Sequence, residues 1–306
     1  MFQTICPAKI NLFLKLLGKR SDGYHKLESL FAFLDLFDEL EVKVLPDEIL
    51  RFAQDDGVVV CHPERSEGSL VPIIEITGEF AEFIDPQNNL FTKIINFFAN
   101  EFNISKNLHI KITKNIPVGA GLGGGSSNAA SFMKALNEIC SLNLSKTELQ
   151  KISLNFGSDI AFFFEDKASI IKGRGELIEN FSKFPAITIL LINPKINLST
   201  KEVFDKFDQN FATEISNDDL QKTDVLELIK NLPNDLTKPA ISSAPIIGEI
   251  LNEMKNAGAE IAKMSGSGST CFAIFNNETE LEIAQKNLTK KFPNFLIRKT
   301  RILSNV

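Results

Sequence analysis

Between two patterned segments lies the run Pro117-Val118-Gly119-Ala120-Gly121-Leu122-Gly123-Gly124-Gly125-Ser126-Ser127-Asn128. Before it, Leu108, Ile110 and Ile112 alternate with His109, Lys111 and Thr113, a period of two that predicts a strand. After it, Ala129, Ala130, Phe132, Met133, Leu136 and Ile139 share one helical face, which predicts an amphipathic helix over Ser126 to Cys140. Five glycines in seven positions, 119 to 125, exceed what a turn or a helix cap needs. Glycine reaches left-handed dihedrals and lets the backbone approach an anion, while free N–H groups and the dipole of the next helix attract negative charge. Strand, loop and helix in that order predict a phosphate site. A glycine-rich turn capped by Ser126 or Ser127 is the simpler alternative.

Two familiar phosphate loops do not fit the flanks. Gly119, Gly121 and Gly124 satisfy GxGxxG, but a dinucleotide fold wants a second parallel strand ending in an acidic residue about 20 positions on, and helical patterns continue there instead. A P-loop wants Lys directly before Ser or Thr, and Gly125 precedes Ser126. Positive charge must then come from Mg²⁺ or from a lysine on another element. Positions 4 to 17 alternate with Ala8, Ile10, Leu12, Leu14 and Leu16 on one side and Lys9, Asn11, Phe13 and Lys15 on the other, a half-buried strand that offers Lys9. Asp159, between Gly157-Ser158 and the apolar run Ile160 to Phe164, would be partly desolvated and in need of a cation. Phosphoryl transfer to a hydroxyl requires anchored phosphate, neutralised charge and an acceptor for the hydroxyl proton. The loop, Lys9 and Asp159 supply one each.

The remaining patterns predict a strand over Leu27 to Val44, helices over Leu90 to Phe102 and Lys146 to Leu154, and a strand over Ala186 to Ile192 that opens a second domain. Helical spacing recurs around Lys201 to Phe207, Asp224 to Leu232 and Ile246 to Asn256, the last stopped by Gly258. A second glycine turn, Ser265-Gly266-Ser267-Gly268-Ser269, leads into the strand Thr270 to Phe275. Strands and helices mix without regular alternation, so the class is α+β. Residues 53 to 72 break the pattern and read as an inserted surface loop. Its Cys61-His62-Pro63-Glu64-Arg65-Ser66-Glu67-Gly68 resembles translated repetitive DNA, and two adjacent ligands, Cys61 and His62, do not make a metal cage.

At 306 residues one continuous core is near its limit, so two domains or one large two-lobed unit are expected. Lys+Arg of 33 against Asp+Glu of 39, with no basic block, argues against a nucleic-acid partner. Cys6, Cys61, Cys140 and Cys271 are dispersed, which fits a reducing cytoplasm. No signal peptide is expected, and the longest apolar run, Ala186 to Ile192, is too short for a bilayer. With 26 Phe and no Trp, the single tyrosine, Tyr24, merits tracing.

Three ordered segments carry a resemblance. Pro7-Ala8-Lys9-Ile10-Asn11-Leu12 with Asp22-Gly23-Tyr24-His25, then Pro117 to Ala130, then Ser265 to Thr270 resemble the motifs of the GHMP kinase superfamily over nearly the whole chain. The resemblance implies a two-domain α+β fold, with residues 1–170 as an ATP-binding domain and 171–306 as a substrate-side domain. It implies ATP-dependent phosphorylation, with Mg²⁺, of the 2-hydroxyl of a cytidine diphosphate ester of methylerythritol, in the non-mevalonate route to isoprenoid precursors. Neither a nucleic acid nor a membrane is implied as partner.

By motif position Lys9 and Asp159 correspond to a catalytic lysine and a general base, and Asn11 lies beside the substrate. The resemblance implies that Tyr24 stacks on the cytosine, that His25 hydrogen-bonds its edge and that Phe204 is the second stacking aromatic, with core packing an equally good account of Phe204. It likewise implies that Pro117, Gly119, Gly121, Gly123, Gly124, Gly125, Ser126 and Ser127 hold ATP phosphates, with Gly266, Ser267 and Gly268 as the third motif. Mg²⁺ is expected with the ATP phosphates, with Ser126 or Ser127 as the candidate contacts and no carboxylate cage evident. Where such kinases usually read Gly-Ala-Asp-Val-Pro, this chain has Gly157-Ser158-Asp159-Ile160-Ala161, so a stiffening proline is lost and the acid is kept. Two alternatives stand beside this: a kinase of homoserine or mevalonate, for which Tyr24-His25 has no purpose, and a catalytically silent nucleotide-binding protein.

Overall fold

The computed structural model describes residues 1–45, 72–84, 89–104, 107–181 and 184–304. The expected insertion, with Cys61 and His62, lies outside the described residues except for Pro72. The described elements are β1 (Phe2–Lys19), β2 (His25–Val44), β3 (Ile73–Thr77), α1 (Leu90–Phe102), β4 (Leu108–Thr113), α2 (Gly124–Ile139), α3 (Lys146–Ser153), β5 (Ser169–Gly173), β6 (Leu177–Asn180) and β7 (Ile187–Asn193). They continue as α4 (Thr200–Asp205), α5 (Asn217–Lys222), α6 (Val225–Asn231), α7 (Thr237–Ser243), α8 (Ile246–Asn256), β8 (Ile261–Met264), β9 (Cys271–Ile274), α9 (Glu278–Lys291) and β10 (Leu296–Ile302). A 3-10 helix spans Ser158–Phe164. Contacts divide the chain into two units that interleave in sequence: 1–7, 36–118 and 124–164 in the first, 8–35, 119–123 and 165–306 in the second.

In the first unit the far end of β2 runs antiparallel to β4, from Glu39 opposite Thr113 to Val44 opposite Leu108, and β3 adds in parallel to the other edge of β4. The alternation on β4 is the reason it pairs this way. Leu108, Ile110 and Ile112 are buried, while His109 and Lys111 turn to Glu75 at 3.1 and 3.4 Å. Helix α1 buries Phe91, Ile94, Ile95 and Phe98, and starts at Asn89, whose side chain accepts the Thr92 N–H at 3.0 Å. Helix α2 buries the predicted face except for Ile139, and Phe132 meets Phe91 edge-on at 5.1 Å. Fully burying each such side chain contributes about 1.5–3 kcal/mol. Ser145 and Glu148 cap α3 reciprocally.

The second unit is built on β10, antiparallel to β7 from Leu296 opposite Asn193 to Ile302 opposite Ile187, followed by β9 and β8. The start of β2 pairs with β5, from Leu27 opposite Gly173 to Phe31 opposite Ser169. Helices α7, α8 and α9 bury Ala240, Ile247, Ile250, Met254, Leu281 and Leu288 in one core with Leu14, Leu16, Leu190 and Ile192. Gly258 stops α8 as expected: it sits at φ +94°, with Ala259 N–H bonded to Met254 O and Gly258 N–H to Lys255 O, a Schellman end.

One strand departs from expectation. β1 is buried on both faces from Ala8 to Leu16, with Lys9 only 3% and Asn11 2% exposed. Polar residues on alternate positions mark a wet face only if water solvates them, and here other side chains do. No helix among the described residues is long and apolar enough to cross a membrane. Cys6, Cys140 and Cys271 are free thiols.

Candidate active site

In the second unit three distant segments are tied around Lys9. The Lys9 N–H donates to Leu122 O at 2.9 Å, which joins β1 to the first glycine turn. Its ammonium donates to Asn11 Oδ1 at 2.5 Å and lies 4.5 Å from the centre of the Phe31 ring. The Asn11 amide is fixed in turn, because Nδ2 donates to Ser29 Oγ at 3.1 Å and Ser29 donates to Phe13 O. Asn11 N–H reaches Ser265 Oγ at 3.1 Å, Ser265 Oγ donates to Gly121 O at 2.9 Å, and Thr270 N–H donates to Ala120 O at 3.2 Å. Both glycine turns therefore bond to each other and to the strand bearing Lys9.

Their packing shows why two positions exclude side chains. A Cβ at Gly121, at φ +74°, would fall 2.3 Å from Ser265 O. At Gly266, at φ +56°, it would fall 3.0 Å from Asn11 Oδ1 and 3.6 Å from Lys9 Nζ. Ser267 Oγ lies 2.9 Å from Thr200 Oγ1, so the start of α4 is held to the second turn, and Gly268 completes that turn.

The remaining loop residues belong to the first unit. Gly124 opens α2, Gly125 is exposed, Ser126 half-buried, and Ser127 wholly buried with no hydrogen-bond partner for its Oγ. A buried hydroxyl without a partner at a helix N-terminus can donate to a phosphate oxygen or offer its oxygen lone pair to a hard cation. Behind the helix start sits a network that sequence patterning did not anticipate. Asp38 accepts from the Lys114 ammonium, from Asn128 Nδ2 at 2.9 Å, and from the N–H groups of Asn115 and Ile116 at 2.7 and 2.9 Å. Lys114 also donates to Asn128 Oδ1 at 2.7 Å. The segment entering the loop and the first turn of α2 are thus fixed to one carboxylate.

Asp159 also belongs to the first unit, half-buried on the 3-10 helix whose following residues, Ile160 to Phe164, are all buried. The backbone that lacks the usual proline is held otherwise: Gln150 Nε2 donates to Ala161 O at 3.2 Å, and the Lys134 ammonium to Phe163 O at 2.8 Å. Among the described residues no group of three or more His, Cys, Asp or Glu could hold a metal ion.

The second unit brings His25 and Phe204 together, with ring centres 5.3 Å apart, and adds Phe211 and Phe207 at 6.3 and 6.4 Å. Burial, with help from Lys19, lowers the His25 pKa below its ordinary value against the opposing pull of Asp205. Tyr24 is 52% exposed, presented by a turn in which Asp22 Oδ1 accepts the Tyr24 N–H at 3.1 Å. The Arg174 guanidinium lies 5.4 Å from the Tyr24 ring centre. Arg174, Phe211, Asp38 and Lys114 carry no signal of their partners in the sequence, because each meets them only through folding.

Residues 89–166 match the GHMP kinases N terminal domain and residues 216–294 the GHMP kinases C terminal domain. The chain is 34% identical over 300 residues to a 4-diphosphocytidyl-2-C-methyl-D-erythritol kinase of Wolbachia pipientis wMel, covering 97% of each. It is 35% identical over 298 residues to the like-named protein of Thermoanaerobacter pseudethanolicus, covering 96% of this chain and 94% of that one. Its fold is similar to a solved 4-(cytidine 5'-diphospho)-2C-methyl-D-erythritol kinase (TM-score 0.71, 23% identity, 99% and 100% covered). It is also similar in fold to L. major mevalonate kinase (TM-score 0.67, 16% identity, 99% and 96% covered). With near-complete coverage at this identity and both domains matched, the chain belongs to the GHMP kinases, in the family of the 4-diphosphocytidyl-2-C-methyl-D-erythritol kinases.

Proposed function

We propose that the chain transfers the γ-phosphoryl group of ATP to the 2-hydroxyl of 4-diphosphocytidyl-2-C-methyl-D-erythritol, with Asp159 as general base and Lys9 as its charge partner. The bonding of Lys9 and Asn11 to both glycine turns supports this most strongly. In the reaction the hydroxyl oxygen bonds to γ-phosphorus as its proton passes to the Asp159 carboxylate, and the bond to the β-phosphate oxygen breaks to release ADP. Lys9, oriented by Asn11, offsets charge on the transferring oxygens. The N–H groups at the start of α2 hold phosphate. Ser127 Oγ is the group that would meet Mg²⁺, whose chemistry is to neutralise phosphate charge. Residues 1–170 serve ATP and 171–306 the substrate side, a division along the sequence distinct from the contact units. Dispersed free thiols support a reducing cytoplasm as the compartment.

Tyr24, His25 and Phe204 recognise the cytosine in this account. An exposed ring offers a stacking face, and base stacking is worth about 1–3 kcal/mol, so Tyr24→Ala is expected to raise KM for the cytidyl alcohol about 5- to 150-fold. KM for ATP should stay unchanged, and steady-state kinetics on both substrates measure this.

A neutral imidazole can both donate and accept at a base edge, whereas its cation only donates. Because the His25 pKa is lowered, the neutral ring predominates at pH 7 and charges only as pH falls beneath the ordinary value of about 6.5. KM for the cytidyl alcohol is therefore expected to be flat above neutrality and to rise in acid, and His25→Gln should flatten the profile.

The reaction itself is tested by ADP release with the cytidyl alcohol beside homoserine and mevalonate. Turnover confined to the first supports the proposal, and equal turnover of homoserine sinks it.

A further inference from the structure

We propose that Asn234 is a positioning residue for phosphoryl transfer, holding the Gly266 carbonyl in the glycine turn beside Lys9 and Asn11. The inference rests on the kinase proposal and adds a residue to it. Residues 232–236 connect α6 to α7, and they are bound on two sides. Toward β1, Leu14 N–H donates to Pro233 O at 3.0 Å, Asp235 N–H to Leu14 O at 2.9 Å, and Leu16 N–H to Asp235 Oδ2 at 2.8 Å. Toward the turn, Asn234 Nδ2 donates to Met264 O and Gly266 O, both at 2.8 Å.

The chemistry suits a primary amide, which offers two donors and an acceptor together. Two carbonyl oxygens converging on one point repel each other unless a group with two N–H donors lies between them, and Nδ2 is such a group. Its partner atom is also used, because Asn234 Oδ1 accepts the Leu236 N–H at 3.0 Å, which fixes the amide's orientation. The side chain is 8% exposed, so water does not substitute for it.

The grip matters because of where Gly266 sits. It has no side chain, its backbone is at φ +56°, and its surroundings are Asn11 Oδ1 and Lys9 Nζ. Position at such a site is set by backbone bonds. The turn closes on itself through Gly268 N–H to Ser265 O and Ser265 N–H to Thr270 O, and Asn234 holds it from outside, on a segment that is itself bonded to β1. Asn234 thus couples the turn to the strand that carries Lys9 and Asn11.

The test is Asn234→Asp, which keeps the shape and the acceptor for Leu236 N–H and puts an oxygen against the two carbonyls. Misplacement of reacting groups by about 1 Å costs up to about 100-fold, so kcat is expected to fall about 10- to 100-fold, with KM for the cytidyl alcohol changed less than about threefold. Leu288→Ala, a core change on α9, is the comparison: it should lower the melting temperature while kcat at 20 °C holds within about twofold. If Asn234→Asp does not fold, Asn234→Ser carries the same expectation. An unchanged kcat in a folded Asn234 variant, a matching kcat loss in Leu288→Ala, or failure of both Asn234 variants to fold overturns the assignment. Wild-type protein that does not phosphorylate the cytidyl alcohol overturns the kinase proposal instead, so the two failures are told apart in one assay.

Discussion

Asp159→Asn is expected to lower kcat about 100- to 10,000-fold, the range that a positioned general base contributes. The amide keeps the size of the carboxylate and removes its capacity to take the hydroxyl proton. KM for ATP should change little, since the groups proposed to hold the phosphates are the glycine turns and the start of α2 and not this residue. Asp159 is half-buried on a 3-10 helix anchored by five buried residues, so the variant should fold normally and show the wild-type melting temperature. Steady-state kinetics with both substrates, beside a melting curve, check all three statements. A loss below about tenfold would mean that positioning and charge alone carry the rate, with no proton acceptor at Asp159.

Asp38→Ala is expected to cost about 3–5 kcal/mol of stability, the range for removing one partner of a buried ion pair. Its side chain is 0% exposed and that of Lys114 3%, so the ammonium left behind cannot reach water without opening the unit. The N–H groups of Asn115 and Ile116 lose their acceptor at the same time. Urea unfolding should show a lowered midpoint. The double variant Asp38→Leu with Lys114→Met, which leaves no buried charge, should recover part of the loss. A single-variant loss under about 1 kcal/mol would place the network among inconsequential ion pairs.

Much of this was legible from local pattern. The helix Leu90–Phe102 and the strand on Leu108, Ile110 and Ile112 stand where periodicity put them, because each has one apolar face and one polar face. Gly258 was readable as a stop because only a residue at ease with positive φ closes that helix end. The three motif segments were readable as one group only through their joint resemblance to a known superfamily, since residues 9, 121 and 265 have no local relation to one another.

What escaped did so for physical reasons. Helix α9 and strand β10 went unassigned, since charged residues outnumber apolar ones in α9 and equal them in β10: α9 buries only Leu281, Ala284 and Leu288. The burial of the polar face of β1 at Lys9 was not legible, because alternation cannot tell water from a buried amide as the partner of an ammonium. Asp38, Lys114 and Asn234 are defined by what they hold, and those partners are 14 to 90 residues away. Phe204 was equally a core residue or a stacking one, and it packs against the core while facing His25.

The most direct test of the phosphoryl-transfer account is phosphorus and proton NMR of the product formed from ATP and 4-diphosphocytidyl-2-C-methyl-D-erythritol by the wild-type chain. The account requires one new phosphate monoester, on the 2-hydroxyl, in equal amount to the ADP released. A phosphate on another hydroxyl, or ADP released with the alcohol unmodified, would contradict it.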